Sequence, residues 1–187
     1  MIKSFKQDNI EATKGEHMVR LVFEDIYDGK NLKFEEVGHN PKYYHRGDIR
    51  ITDEDGAFVG MIEVKTDGEC FNTGNVLAEH EVTFYGTNTR QKGFMQKANY
   101  SVVAYHSKEL QRIWLIDFKA WKEYYQSGRY IDIPHPEQMT HGYLNPIWVL
   151  KKRGIITYVI DYDFSGSYDA PTAAWCISRT KVEADVA

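Results

Sequence analysis

The sequence lacks the marks of several protein classes. It has only two cysteines in 187 residues, Cys70 and Cys176, and no Cys-x-x-Cys pair, so we expect neither a disulfide framework nor structural zinc. No stretch approaches the roughly 20 apolar residues of a membrane helix. The first residues show no apolar signal core or cleavage pattern, so we expect a cytoplasmic protein without membrane contact.

Motifs for other chemistries are also missing. There is no glycine-rich phosphate loop of the P-loop or dinucleotide type, and no Ser/His/Asp or Cys/His arrangement has a convincing context. The net charge of −4 is not that of a strongly basic nucleic-acid binder. A locally positive cleft is still compatible with an otherwise acidic surface.

The composition is that of a globular chain, with 42% hydrophobic residues, 14% aromatic residues and 13 tyrosines. We expect a single domain over residues 1–187, with its core at about 8–165 and a C-terminal extension at 166–187. Apolar periodicity and turn residues predict the following elements. Helices are predicted at about Asp8 to Tyr27, Phe94 to Asn99 and Phe118 to Ser127, and strands at Leu32 to Val37, Asp48 to Thr52, Phe58 to Lys65, Val76 to Tyr85, Tyr100 to Tyr105, Arg112 to Asp117, Ile147 to Leu150 and Ile155 to Tyr162. The segments 86–93 and 130–145 are predicted as a basic turn and a loop, and the order as a whole favours an α/β fold with a mixed central sheet.

The most informative stretch is the hairpin from Asp48 to Lys65. Two short strands flank the turn residues 53–56, and Glu63 and Lys65 lie two positions apart, so they point to the same face. Pairing about the turn brings Asp48 close to that end of the second strand. Two carboxylates and a lysine are therefore expected to converge at one edge of the hairpin.

This set of groups suits phosphodiester hydrolysis. Mg²⁺ or Mn²⁺ prefers one or two carboxylates together with waters and phosphate oxygens. Asp48 and Glu63 supply that minimum, and the carbonyl of Val64 is a further candidate ligand. Lys65 would orient the attacking water or help deprotonate it as a catalytic base, and would stabilise the phosphate. The alternative is a structural salt bridge between Glu63 and Lys65, with Asp48 as an ordinary turn residue.

The pattern of Asp48 followed by Glu63-Val64-Lys65 resembles the PD-(D/E)xK nuclease superfamily, although Gly47 replaces the usual proline. Three further stretches resemble small phage-type members: residues 73–81, residues 93–100, with Asn99 in place of the expected aspartate, and residues 113–117. The resemblance covers roughly residues 10–126. It implies a three-layer α/β/α sandwich of the restriction-endonuclease-like type, with the acidic hairpin in the middle of a mixed sheet.

The resemblance also implies an activity, a cofactor and partners. We expect a metal-dependent DNA nuclease that uses Mg²⁺ or Mn²⁺. Since the leading helix of such proteins often brings a further acid to the metal, Glu16 is the best match and Glu11 the second. One active site per chain means that a double-strand cut needs a homodimer or two visits.

Bases and aromatics near the hairpin are candidates for substrate binding, because they can neutralise phosphates and stack on bases. Lys97 is the strongest candidate, since the matching lysine of the resembling family faces the site. The wider set consists of Lys97, Gln96, Arg90, Lys92, Arg46 and Tyr44.

Two acids and one histidine-containing segment leave alternatives open. Glu79 and Glu81, predicted on one face of a strand, either support the acidic site or pair with Arg90 and Lys92. His135, His141 and Asp132 lack the spacing of a second metal site. For the whole chain, the alternative to a nuclease is a non-catalytic module on the same fold that binds nucleic acid or protein, for example an inhibitor of a host defence complex.

Overall fold

The computed structural model describes residues 5–43, 46–83, 90–97, 100–127, 131–135, 140–166, 168 and 175–184, with the backbone alone for 5–9, 83, 131–135 and 140–141. The helices are α1 (Phe5–Ile26), α2 (Cys70–Thr73), α3 (Phe94–Lys97), α4 (Phe118–Gln126) and α5 (Ile147–Lys152). The strands are β1 (Leu32–Glu36), β2 (Ile49–Asp53), β3 (Phe58–Thr66), β4 (Asn75–Thr83), β5 (Arg90–Lys92), β6 (Val102–Ser107), β7 (Arg112–Asp117), β8 (Ile131–His135), β9 (Thr140–Pro146), β10 (Ile156–Ser165) and β11 (Cys176–Ala184).

The strands form two sheets. The larger one is mixed, in the order β1-β2-β3-β6-β7-β10-β11, with β3 and β6 parallel and the other neighbours antiparallel. The smaller one is antiparallel, in the order β5-β4-β9-β8. The expected α/β class with a mixed sheet is confirmed.

Alternating side chains bury both faces of the larger sheet. On one face, Ala104, Ile113 and Ile160 pack with residues of α1 such as Met18 and Val22. On the other face, apolar residues of the sheet pack against α3, α4, α5 and the smaller sheet in a second core. Its fully buried side chains include Trp121, Phe118, Met95 and Leu150.

Two strands of the smaller sheet, β4 and β5, lie in the connection between β3 and β6. Parallel neighbours in a sheet need a crossover, and the chain between β3 and β6 contains α2, β4, β5 and α3. This connection lays β4 against the second core, through buried Val76 and Ala78. As a result, elements of the crossover stand next to the end of β3 that carries Glu63 and Lys65.

Most of the predicted elements are present with small changes in their ends. The hairpin turns at Gly56, which has a φ of 82°, and Ala57 donates its N–H to Asp53 Oδ1 over 2.7 Å. The helix α4 begins where Asp117 accepts a hydrogen bond of 2.9 Å from the N–H of Ala120. Residues 86–89 of the predicted basic turn lie outside the described residues, and residues 90–92 form β5.

The prediction of a loop at 130–145 is wrong, because β8 and β9 occupy much of it. Proline is tolerated in β8 since this strand lies at the edge of the smaller sheet, where a missing N–H costs little. In β9, a Cβ atom on Gly142 would lie 2.6 Å from Leu77 Cδ1, so the glycine permits close pairing with β4. Pairing with a distant strand therefore overrides the local turn-forming residues.

The prediction of a strand at Ile147 to Leu150 is also wrong, because this segment begins α5. A short apolar run cannot by itself distinguish a buried strand from a helix. The helix buries Leu150 completely and leaves Trp148 66% exposed, which gives it one apolar side. Within the described residues, no helix is both long and apolar enough to cross a membrane.

Candidate functional site

Asp48 is fixed by four hydrogen bonds just before β2 begins. Its N–H donates to the carbonyl of Ile62 over 2.8 Å, and its carbonyl accepts from the N–H groups of Val37 at 2.7 Å and Gly38 at 3.2 Å. Its side chain accepts through Oδ2 from the N–H of Val64 over 2.8 Å. Both the backbone and the carboxylate of Asp48 are thus held against β3.

Glu63 and Lys65 lie on one face of β3, as strand alternation predicts. Lys65 Nζ is 2.6 Å from Glu63 Oε1. The residue Glu63 is 5% exposed, whereas the Lys65 side chain is 35% exposed. The carboxylate is therefore enclosed, while part of the Lys65 side chain remains exposed at the wall of a cleft.

Val64 directs its backbone toward Asp48. A strand residue sends its N–H and C=O to the same neighbouring strand, and the N–H of Val64 donates to Asp48. The carbonyl of Val64 therefore lies on the Asp48 side of β3. The Asp48 and Glu63 side chains line a common cleft, and the carbonyl of Val64 lies beside them on β3.

Glu16 reaches the same space from α1. It is 9% exposed, and a Cβ atom on Gly38 would lie 2.8 Å from Asp48 Oδ1 and 3.1 Å from Glu16 Oε2. The helix can come this close because residue 15 is glycine. A Cβ atom there would lie 1.8 Å from Thr66 Oγ1 on β3.

Burial and mutual repulsion shift the ionisation of these acids. Burial first, and then the charges of Asp48, Glu36 and Glu63, raise the pKa of Glu16 to about 8. Burial and the charge of Glu63 raise the pKa of Asp48 to about 6, although Lys65 and the N–H of Val64 act in the opposite direction. Concentrated negative charge at a buried position is unfavourable, and a bound cation would relieve it.

The charges of the acids favour the protonated, positively charged form of Lys65. Burial by itself would lower the pKa of Lys65, but the charges of Glu63 and Asp48 outweigh burial and raise it. The side chain is therefore a protonated donor at neutral pH. Its ammonium nitrogen also lies 5.0 Å from the centroid of the Phe94 ring, a distance at which the ring attracts a cation.

The opposite wall of the cleft comes from the crossover. Glu79 of β4, Phe94 and Lys97 of α3, and Tyr100 line a space of about 200 Å³ together with Asp48, Glu63 and Lys65. Burial, and then the charge of Glu63 and a hydrogen bond to it, raise the pKa of Tyr100. The neutral hydroxyl of Tyr100 thus donates to the Glu63 carboxylate.

The residues predicted to bind substrate have different surroundings. Lys97 is exposed and lines the cleft. Arg46, Arg90 and Lys92 are exposed and are not among the residues that line it. Gln96 Nε2 donates to the carbonyl of His80 over 2.9 Å, so this amide is engaged in the fold. Tyr44 lies outside the described residues.

Glu79 and Glu81, whose roles the sequence left open, have different surroundings in the structure. Glu79 lines the cleft, whereas Glu81 Oε2 lies 3.9 Å from Arg90 Nη1. The second candidate on the helix, Glu11, accepts a hydrogen bond of 2.7 Å from Lys108. The side chains of His135, His141 and Asp132 lie outside the described part of the chain.

Sequence reasoning missed two lining residues, Phe94 and Tyr100. Their aromatic side chains read as ordinary core residues, and both are largely buried. The only available signal was their position on either side of Lys97, the lysine predicted to face the site. Gly38 and Gly47 also line the cleft, where their small size leaves room beside Asp48.

The donor set fits a cation that is only partly enclosed by protein. Within the described residues, no three His, Cys, Asp or Glu side chains form a ready-made cage. Mg²⁺ does not require one, because it retains waters and uses one or two carboxylates. The enclosed acids Asp48, Glu63 and Glu16 supply hard oxygen atoms of the type it binds.

Comparisons with known proteins found no match among protein-family models, curated proteins or solved structures.

Proposed function

We propose that the protein is a metal-dependent nuclease that hydrolyses DNA phosphodiester bonds. One observation carries this proposal: the Asp48 carboxylate is hydrogen-bonded to the middle of the Glu63-Val64-Lys65 segment at the wall of a cleft. Two acids, a strand carbonyl and a lysine around a common space are the groups that this hydrolysis requires.

The residues that would hold Mg²⁺ or Mn²⁺ are Asp48, Glu63 and the carbonyl of Val64, with Glu16 as a further donor from α1. A bound divalent cation supplies charge stabilisation at the phosphate and an activated water. The raised pKa values of Asp48, about 6, and Glu16, about 8, support this assignment, because they arise from burial and, after it, from repulsion among the acids, both of which a bound cation would offset.

Lys65 acts as a proton donor and electrostatic stabiliser in this proposal. Its charged ammonium group lies at the edge of the cleft. From there it can orient the attacking water and stabilise negative charge on the phosphate in the transition state. Lys97 and the exposed Arg46, Arg90 and Lys92 would contact the phosphates of DNA on either side of the cleft.

The fold of the proposed nuclease is a restriction-endonuclease-like sandwich. Support comes from the mixed sheet, in which the antiparallel β2–β3 hairpin carries the acids and β3 runs parallel to β6. Further support comes from α1, which packs on one face of that sheet and brings Glu16 to the site.

Cleavage assays test the proposal directly. The protein is incubated with plasmid and with linear DNA in Mg²⁺, Mn²⁺ or EDTA, beside Lys65→Ala and a control, Lys33→Ala, which alters an exposed lysine of β1. We expect cleavage that requires the cation, survives in Lys33→Ala and is lost in Lys65→Ala. Absence of wild-type cleavage with every cation would refute the proposal.

A second candidate function is a binding module that does not cleave. The observation that favours it is the 2.6 Å ion pair between Lys65 and Glu63, which a purely structural role would also produce. The same assay, read by gel shift, separates the two functions. Tight binding of DNA without cleavage would support the binding module.

A further inference from the structure

Glu79 comes from a different sheet than Asp48, Glu63 and Lys65, and yet it lines the same cleft. The pairing of β4 with β9 shifts register between Glu79 and Glu81. Such a bulge places one extra residue in the strand and redirects the side chains beyond it. It explains why Glu79 faces the cleft while Glu81 lies beside Arg90.

The start of α3 holds Glu79 in place. The N–H of Phe94 donates to Glu79 Oε1 over 3.3 Å, and the N–H of Gly93 donates to the carbonyl of His80 over 2.5 Å. A Cβ atom on Gly93 would lie 2.5 Å from the carbonyl oxygen of Glu79. The glycine therefore allows α3 to begin directly against the bulge of β4.

Phe94 links this wall to Lys65. The Lys65 ammonium nitrogen lies 2.6 Å from Glu63 Oε1 and 5.0 Å from the centroid of the Phe94 ring. Glu79 lines the same cleft as Lys65, and its charge raises the pKa of Lys65, although less than the charges of Glu63 and Asp48 do. Lys65 is thus attracted from its own strand and from the opposite wall of the cleft.

We propose that Glu79 is a positioning residue that, together with Phe94, holds the Lys65 ammonium group toward the cleft. The inference rests on the proposed function, in which Glu63 also serves a divalent cation. If the Glu63 carboxylate also binds a cation, it attracts the Lys65 ammonium group less strongly. Glu79 and Phe94, on the opposite wall of the cleft, then supply the remaining attraction. Glu79 acts through Lys65 and Phe94 and need not touch the substrate.

The first measurement does not depend on activity. Protein labelled with ¹⁵N-lysine is studied by NMR in EDTA, and the Lys65 ammonium signal is assigned from its loss in Lys65→Arg. We expect Glu79→Gln to shift this signal and to speed exchange of its protons with water. Glu81→Gln, which alters a carboxylate on the far side of the bulge, should leave the signal unchanged.

The second measurement is cleavage kinetics. Removing a group that orients a catalytic residue typically reduces activity by about 10- to 100-fold. We expect Glu79→Gln to lower kcat by that factor with KM unchanged, Glu79→Asp to recover part of the loss, and Glu81→Gln to match the wild type. If Glu79→Gln does not fold, Phe94→Leu replaces it, with the same expected change in the Lys65 signal.

The outcomes separate this inference from the proposed function. If the wild type cleaves DNA and Glu79→Gln matches Glu81→Gln in both measurements, the positioning role is refuted and the nuclease stands. A rise in KM alone would also refute it, because Glu79 would then act on substrate binding. If the wild type never cleaves, the nuclease fails, and the Lys65 signal still decides whether Glu79 holds the ammonium group.

Discussion

The backbone N–H of Val64 donates a hydrogen bond of 2.8 Å to Oδ2 of Asp48. This bond joins the residue before β2 to the centre of the Glu63-Val64-Lys65 segment on β3. It fixes the orientation of the Asp48 carboxylate and places the carbonyl of Val64 on the same side. The bond therefore holds the Asp48 carboxylate next to the Glu63-Val64-Lys65 segment, so that their oxygen atoms form one set of possible ligands.

Asp48→Asn is expected to abolish metal-dependent cleavage and to leave the fold intact. The asparagine keeps the three backbone hydrogen bonds, and its amide oxygen can still accept from Val64. It loses the negative charge that a cation requires, so activity should fall by at least about 100-fold. Cleavage assays and circular dichroism measure the two effects, with the exposed turn variant Glu54→Gln as control. Unchanged activity would mean that the site is misplaced.

Glu16→Gln is expected to raise the melting temperature in EDTA at pH 8 and to reduce the stabilisation by Mn²⁺. The wild-type carboxylate is buried beside Asp48 and Glu63, and its neutral replacement removes that repulsion. The same replacement removes a ligand, so the thermal shift caused by the cation should shrink. Glu54→Gln should behave as the wild type in both conditions. A larger Mn²⁺ shift in Glu16→Gln than in the wild type would contradict a role for Glu16 at the cation.

Gly15→Ala is expected to destabilise the protein, although alanine favours helices by about 1 kcal/mol relative to glycine. The new methyl group would lie 1.8 Å from Thr66 Oγ1, and overpacking of this kind costs about 1–3 kcal/mol. Urea unfolding measures the change, and Thr66→Ala should relieve part of it in the double variant. Gly60→Ala is the control, since a Cβ atom there meets nothing within 4 Å. A gain in stability for Gly15→Ala would show that α1 does not approach β3 as described.

His106 is expected to contribute stability that is lost as the pH falls from about 6.5 toward 3. Burial, and then the charge of Lys108, lower the pKa of His106 to about 3, while its ring bonds to the Tyr162 hydroxyl over 2.6 Å. At His106 the unfolded chain binds a proton at higher pH than the folded one, so the contribution of this residue to stability falls by about 1.4 kcal/mol per pH unit across this window. Glu16 and Asp48, whose pKa values are raised in the folded state, contribute with the opposite sign, so the contribution of His106 is the difference between the wild type and His106→Gln. Urea unfolding at pH 7 and pH 5 should show the wild type losing more stability on acidification than His106→Gln, and the exposed variant His39→Gln should behave as the wild type.

Lys97→Ala is expected to weaken DNA binding without changing its sequence preference. Lys97 is an exposed cation at the cleft, and loss of one phosphate contact reduces the salt dependence of binding by about one charge. Affinity is measured with Asp48→Asn as background, at several salt concentrations, so that cleavage does not interfere. Lys33→Ala in the same background should bind normally. Equal salt slopes for the two variants would exclude Lys97 from the DNA interface.

Two segments have a secondary structure that differs from the one their local sequence predicts. The segment 130–145 has the composition of a loop, and it becomes β8 and β9 because β4 offers a pairing edge beside Gly142. Ile147 to Leu150 has the composition of a strand, and it becomes helical because one side of it packs into a core while Trp148 stays exposed. In both cases contacts distant in sequence outweigh propensities of a few tenths of a kcal/mol per residue.

The sequence by itself determines the hairpin, since the alternation of β2 and β3 and the turn at Gly56 bring Asp48 next to Glu63 and Lys65 on local pairing alone. Its resemblance to the nuclease superfamily also indicates Glu16 on the leading helix. Only the tertiary structure decides that Glu79 joins the cleft and Glu81 does not. That outcome depends on a bulge in the pairing of β4 with β9 and on α3 packing against it, and no residue pattern within β4 encodes a register set by strands and helices elsewhere in the chain.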